Sequence, residues 1–283
     1  MKDLILRINT LIEALPYIKE FYGKTMVIKY GGAAMTDESL KHSFAQDIVL
    51  LKFVGMRPIV VHGGGPEITH IMKKMGKSSE FIDGKRVTDE ETMEIVEMVL
   101  SGKINKEIVA LINHHGGNAV GLSGTDGTMI EARKLHENLG LVGEVQAINP
   151  QIINTLDEAG FIPVIAPVGI GENNKKYNIN ADTSAAAIAV ALNAYKFIFL
   201  TDTPGILRDA NDMDSLIPTV RVNEIDNLIK TGVVSGGMIP KVEAVKEAVS
   251  SGVGKAHIID GRIPHALLLE LLTNAGIGTE VVR

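Results

Sequence analysis

Apolar runs that do not alternate with polar residues recur along this chain, and they constrain its fold more than any other feature. "RPIVVHGGG", "FIPVIAPVG", "KFIFLTD" and "KAHIID" are of this kind, and segments of helical periodicity separate them. A strand with one wet face places polar residues at every second position, so an unbroken run needs cover on both faces. A parallel sheet between helical layers gives that cover. The expectation is an α/β fold: a three-layer αβα sandwich around a mainly parallel open sheet, in two lobes, with an added N-terminal helix. The chain has 283 residues, 45% of them hydrophobic, which is enough material for a large core.

Residues 3–22 read as an amphipathic helix, with Leu4, Ile8, Leu11, Ile12, Leu15 and Ile18 at helical spacing and, because of Pro16, a kink or break expected near Leu15. A first strand follows over 25–30. "FIDGKRVT" reads as a hairpin around its glycine, and residues 89–113 as a long helix interrupted near Gly102. Asn149, Pro150 and Gly160 bracket another helix. The lobe boundary is placed near Asn193, which gives segments 1–23, 24–193 and 194–283.

Composition excludes several functions. There are no cysteines, so disulfides, thiolate metal sites and a cysteine nucleophile are ruled out. A net charge of −6, 4% aromatic residues and no tryptophan argue against nucleic-acid binding. No apolar run reaches the roughly 20 residues that span a bilayer. Lys2, Asp3 and Arg7 near the start do not fit a secretory signal, so a cytoplasmic protein is expected.

Two strand ends break into glycine: "KYGG" (Lys29 to Gly32) and "HGGGP" (His62 to Pro66). Ligands of open α/β sheets bind beyond such ends, where bare glycine amides and helix N-termini favour an anion. Lys29 adds a cation at that edge. "SGGMIPK" repeats the arrangement with Lys241, a cation at a helix start that calls for a compensating anion. Asn178, Asn180 and Asp182 alternate in "YNINAD", where Asp182 reads as a helix cap or as a carboxylate set between two lysines. Lysines and backbone amides without a base are suited to phosphoryl transfer by positioning and charge neutralisation. His62 reads as a structural or orienting residue, with a base or metal ligand as the alternative. His114–His115 reads as a solvated helix end. No dedicated metal site is expected.

These motifs, in this order, resemble the amino acid kinase family over essentially the whole chain. "GKRVT" after "HGGG" favours the branch that phosphorylates N-acetyl-L-glutamate over the carbamate, aspartate, glutamate and uridylate kinases. The resemblance implies transfer of a phosphoryl group from ATP, with Mg²⁺, to the γ-carboxylate of N-acetyl-L-glutamate in arginine biosynthesis. It implies that Lys29 bridges the phosphoryl group, Lys241 stabilises the ADP side and Asp182 keeps both lysines in register. Amides of Gly31, Gly32 and Gly64 would line the phosphoryl oxygens. Gly64, Gly65, Arg86 and Asn178 would bind the acceptor, Arg86 through its α-carboxylate, with Asn180 beside them. Thr201, Asp202, Thr203, Pro204, Gly205 and Ile206, with Val233, Val234 and Ser235, would hold the nucleotide.

The family's arginine-inhibited members carry a kinked N-terminal helix that joins dimers into a hexamer, a trimer of dimers. Tyr17, Lys196, His257, Glu270 and Gly276 match their arginine site, within "HIIDG" and "LLELLTNAGIGT". A helix packed on its own domain is the simpler reading of residues 1–22. A non-catalytic sensor of arginine or nucleotide, a dinucleotide-dependent oxidoreductase and a carbamate kinase remain the alternatives. The oxidoreductase lacks its glycine fingerprint here.

Overall fold

The computed structural model describes every residue except Ala275, with no side-chain description at Asp3, Leu6 and Arg7. Ala275 falls inside the "LLELLTNAGIGT" motif, so that position of the motif lies outside the described residues. In chain order the first elements are α1 (Lys2–Phe21), β1 (Thr25–Tyr30), α2 (Glu38–Phe53), β2 (Arg57–His62), α3 (Gly65–Lys74), β3 (Phe81–Ile82) and β4 (Lys85–Arg86). Next come α4 (Glu90–Glu97), α5 (Asn105–His114), β5 (Ala119–Ser123), β6 (Ile130–Lys134), β7 (Val142–Ile148), α6 (Gln151–Glu158), β8 (Ile162–Ala166), β9 (Val168–Ile170) and β10 (Lys176–Ile179). The chain closes with α7 (Ala181–Ala191), β11 (Lys196–Thr201), β12 (Thr219–Arg221), α8 (Ile225–Lys230), α9 (Ile239–Ser250), β13 (Lys255–Asp260), α10 (Ala266–Leu272) and β14 (Thr279–Val282).

Eight strands form one sheet in the order β12-β14-β13-β11-β1-β2-β8-β5, all pairs parallel except β13 with β14. The apolar runs are its central strands, and their alternation divides the core in two. Met26, Ile28, Val60 and Ile198 pack on one face, and Val27, Ile59, Val61 and Phe197 on the other. This explains why no polar residue interrupts them. The sheet runs without a gap across the β1–β11 pair, where the lobe boundary was expected. A second unit was not visible in the sequence: β6, β7, β9 and β10 close into a small barrel.

Local chemistry sets several boundaries. Asp37 caps α2 through Leu40 N–H at 3.0 Å, and Asp89 caps α4 through Thr92 N–H at 2.7 Å. The "FIDGKRVT" hairpin forms as expected between β3 and β4, with Asp83 and Gly84 both at positive φ, as a two-residue turn demands. The helix after Asn149 starts one residue later than expected, with Asn149 Oδ1 accepting from Gln151 N–H at 3.2 Å.

Three expectations are corrected. The cap of α7 is Asn180, whose side chain accepts from Asp182 N–H at 2.8 Å and Thr183 N–H at 3.2 Å, so the Asp182 carboxylate is free for other work. The helix from Glu90 does not stop at Gly102, because a π-helical segment, Met98–Ile104, carries it into α5. Of the kink or break expected near Leu15, the break does not occur: α1 continues through Pro16, because losing one N–H removes one bond while its neighbours keep the helix in register.

The outward face of α1 is apolar and exposed. Leu4, Ile8, Leu11, Ile12 and Leu15 are each more than half exposed. Its C-terminal end docks through Tyr17 and the buried Phe21. For the described apolar residues from Leu4 to Leu15 the reading of α1 as a helix packed on its own domain therefore does not hold. No described helix is long and apolar enough to cross a membrane.

Candidate active site

Strand parity decides where Lys29 points. It shares a face with Val27 and stands in register with Phe199 of β11, so its side chain runs under the N-termini of α7 and α9. Asp182, in the first turn of α7, meets it there at 3.0 Å. Lys241, in the first turn of α9, approaches the other carboxylate oxygen at 3.5 Å. Both ammoniums lie near the Phe199 ring, at 4.7 and 5.4 Å from its centroid. One carboxylate against two lysines leaves positive charge beside two helix N-termini, a setting that draws an anion.

The glycines leave the lysine a path. A Cβ on Gly31 would stand 2.5 Å from Lys29 Nζ. Gly32 has φ +72°, and a Cβ there would strike the Asp202 carboxylate, which accepts from Ala33 N–H at 2.5 Å. Gly32→Ala is expected to cost about 1–2 kcal/mol of stability from the left-handed backbone alone. Because it also breaks the Ala33–Asp202 bond, turnover should fall roughly tenfold or more. Urea unfolding and steady-state ADP release measure the two effects, and an unchanged rate would show that this loop does not hold the phosphoryl group.

Across the strand ends, Gly64 caps α3 without a side-chain bond. A cleft of about 720 Å³ is lined by Gly64, Gly65, Arg86, Asn178, Asn180 and Asp182, among others. Arg86 is 7% exposed and held by neutral groups: Ser79 Oγ at 2.5 Å, Thr69 Oγ1 at 2.7 Å and the Gly65 carbonyl at 3.0 Å. Its guanidinium lies over the Phe81 ring. Burial pulls its pKa down, and no carboxylate among the described residues pairs with it. A buried cation without a counter-ion, facing a cleft, is fitted to an acidic ligand. Asn178 Nδ2 donates to Thr88 Oγ1 at 3.2 Å, and Thr88 donates to the Arg86 carbonyl at 2.9 Å, tying β10 to the hairpin. Sequence reasoning missed Ser79, Thr69, Thr88 and Phe199, whose part depends on strand register and tertiary packing.

Lys29, Gly31 and Gly32 line a neighbouring cavity of about 530 Å³, which shares Gly63–Gly65 with the cleft. The expected nucleotide residues line neither space. Within that group Thr203 Oγ1 is buried with no hydrogen-bond partner, Val233 is half-buried and Ser235 is exposed. The Val234 side chain packs in the core, and its N–H donates to the Leu228 carbonyl. Gly205 lies against Thr279, whose hydroxyl accepts from Ile206 N–H at 2.8 Å. Pro204 precedes Gly205 in the same loop. His114 and His115 form an imidazole cluster with His42, with His42 Nδ1 2.9 Å from His115 Nε2. Among the described residues no group of three His, Cys, Asp or Glu residues is placed to hold a metal.

A second cluster forms at the far ends of β11 and β13. Lys196 Nζ lies 3.1 Å from His257 Nε2, and His257 Nδ1 lies 2.6 Å from Glu270 Oε1. Ile277 N–H donates to the other Glu270 oxygen at 2.7 Å, and Gly276, at φ +59°, lets the chain turn past it. His257 and Lys196 have lowered pKa values, chiefly from burial. Burial pushes the Glu270 pKa up, but its bonds to His257 and Ile277 and the nearby His257 and Lys196 charges together outweigh this and hold it below the carboxylate norm. Tyr17 of α1 donates to Asn274 beside this cluster. The five residues singled out for arginine are therefore neighbours.

Comparison with known proteins follows the same lines. Residues 24–260 match the amino acid kinase family. The chain is 59% identical to an acetylglutamate kinase of Syntrophomonas wolfei subsp. wolfei over 275 residues, 96% of each chain. It is 55% identical to an acetylglutamate kinase of Heliobacterium modesticaldum, over 96% of this chain and 97% of the relative. Its fold matches an N-acetylglutamate synthase from Neisseria gonorrhoeae, solved with coenzyme A and N-acetyl-glutamate, with a TM-score of 0.86 and 25% identity. That match covers 98% of this chain and 63% of the synthase. The chain belongs to the amino acid kinase family, among its acetylglutamate kinases.

Proposed function

We propose that the chain transfers the γ-phosphoryl group of ATP to the γ-carboxylate of N-acetyl-L-glutamate, the step that commits this acid to arginine biosynthesis. The observation that carries the reading is the Lys29–Asp182–Lys241 bridge beside a cleft containing an unpaired, buried Arg86. The acceptor carboxylate, with a reference pKa near ~4.3, is already a nucleophile at neutral pH, so no base is needed. What resists reaction is repulsion between two anions, and the site supplies cations and amides against it. Arg86 would take the α-carboxylate, and Gly64, Gly65 and Asn178 the rest of the acceptor. Lys29 with the Gly31, Gly32 and Gly64 amides would hold the transferring group, and Lys241 the leaving diphosphate. Asp182 would hold both ammoniums in place without leaving the bridge.

The nucleotide would lie on the 194–283 side, at Thr201–Ile206 and Val233–Ser235, and the acceptor on the 24–193 side. The residues present suit Mg²⁺ that arrives on the nucleotide. Both Asp182 oxygens face lysines, so phosphate and water would complete the ion's shell. Such an ion neutralises phosphate charge. The test is ADP release with N-acetyl-L-glutamate, L-glutamate, L-aspartate and carbamate offered in turn. Turnover with the first alone is expected; ADP release with none of the four would favour a sensor.

Arginine regulation has its own support. The exposed apolar face of α1 needs a covering surface, and a second copy of the chain would supply it. The Lys196–His257–Glu270 cluster sits where α1 docks, and a buried carboxylate suits a guanidinium. A hexamer built as a trimer of dimers, inhibited by arginine, follows from this reading. Deletion of residues 1–22 is expected to give an active, smaller oligomer insensitive to arginine. Light scattering and rate measurements with and without arginine check it; a truncated enzyme still hexameric and still inhibited would contradict it.

A further inference from the structure

The helical run from Glu90 to His114 has one irregularity, the π-helical segment Met98–Ile104. A π-turn holds an extra residue and so rotates the helix that follows it; such turns concentrate at functional sites. Here the segment and the residue after it face the "HGGG" loop. A Cβ on Gly64 would collide with the side chains of Leu100 and Ile104. Asn105, the next residue, is fully buried.

The hydrogen bonds of Asn105 have one consistent assignment. Its Nδ2 lies 2.9 Å from the Val164 carbonyl, 3.2 Å from His62 Nε2 and 3.4 Å from the Leu122 carbonyl, three acceptors for two hydrogens, while its Oδ1 accepts from Lys106 Nζ at 3.0 Å. The amide nitrogen only donates, so His62 Nε2 must be bare. His62 Nδ1 lies 2.8 Å from the Gly63 carbonyl, which only accepts, so Nδ1 must carry the hydrogen. Burial supports a neutral ring, since it pushes the His62 pKa down to about 4. Gly63 is held at its other end too, where its N–H donates to the Tyr30 carbonyl at 2.9 Å. A peptide group is planar, so fixing the Gly63 carbonyl also fixes the direction of the Gly64 N–H.

We propose that Asn105 and His62 are positioning residues for phosphoryl transfer: Asn105 holds neutral His62 in its Nδ1–H tautomer, and His62 holds the Gly63 carbonyl so that the Gly64 amide points at the transferring group. The π-helical segment is what brings Asn105 and the two side chains behind Gly64 to one place. The inference rests on the reading of Gly64 as part of the transfer site.

Nitrogen-15 NMR of histidine-labelled protein at pH 7.5 reads the tautomer. A protonated Nδ1 and a bare Nε2 are expected for His62, and an Nε2–H tautomer or an imidazolium would overturn the relay. The wild-type rate with ATP and N-acetyl-L-glutamate is measured beside it; failure there would sink the functional reading while leaving the tautomer result intact. His62→Gln removes the donor near Nδ1, whereas His62→Asn keeps one. The Gln variant should lose roughly 10–100-fold in kcat with KM for ATP within about twofold, and the Asn variant should stay within about fivefold of wild type. Equal losses in both variants, tracking their melting temperatures, would mark His62 as structural only and overturn the proposal. Gly121→Ala gives a second route should His62→Gln fail to fold. Its Cβ would collide with Asn105 Oδ1 away from either glycine loop. The same kcat loss at constant KM for ATP is expected, and an unchanged kcat would overturn the proposal.

Discussion

Lys29→Arg is expected to lower kcat by about 100- to 1,000-fold while leaving the affinity for N-acetyl-L-glutamate within about threefold. The charge survives this change, so the loss comes from geometry. Lys29 reaches Asp182 at 3.0 Å through a space bounded by Gly31, where even a Cβ would crowd the ammonium. A guanidinium is broader and planar, and it cannot offer one compact donor both to Asp182 and to a phosphoryl oxygen. Arg86 lines the cleft and Lys29 the neighbouring cavity, so acceptor binding should persist. Steady-state kinetics with calorimetric binding of the acceptor separates the two quantities. A variant that loses acceptor affinity and turnover together would contradict the assignment of Lys29 to the transferring group.

Arg86→Lys should behave in the opposite way. The guanidinium makes three short bonds to Ser79, Thr69 and the Gly65 carbonyl and has no carboxylate of its own. A lysine has three donors and no planar fork, so it cannot serve this collar and a bidentate acceptor together. Losing charge-assisted bonds of about 2–3 kcal/mol raises KM for N-acetyl-L-glutamate by roughly 30- to 150-fold. The effect on kcat should be much smaller. If Lys29→Arg and Arg86→Lys produced the same kinetic defect, the division between transfer and acceptor recognition would be wrong.

The sequence carried the fold because its strands are unusually plain. Runs such as "KFIFLTD" have no polar alternation, and only a sheet covered on both faces accepts them. It carried the site for a related reason: Lys29, Asp182 and Lys241 each sit next to a local signal, a glycine pair or a helix start. What it did not carry depends on register and packing. Phe199 is one more apolar residue until β11 pairs with β1 and places it beneath both lysines. Gly102 read as a helix break because glycine has low helix propensity, but tertiary contacts keep the helix going through a π-turn. The cap reading of Asp182 stood beside the carboxylate reading because Asp and Asn are interchangeable as caps, and only the backbone shows that Asn180 has taken that role. The small barrel of β6, β7, β9 and β10 has strands of three to seven residues, too short to leave a periodic pattern.

The reaction assigned to this site ends with the phosphoryl group on a carboxylate. An acyl phosphate reacts with hydroxylamine, so running the reaction in hydroxylamine and identifying the trapped product by mass spectrometry tests this directly. The expected result is the γ-hydroxamate of N-acetyl-L-glutamate, formed in step with ADP and absent without ATP. ADP released at the same rate with no hydroxamate would contradict it.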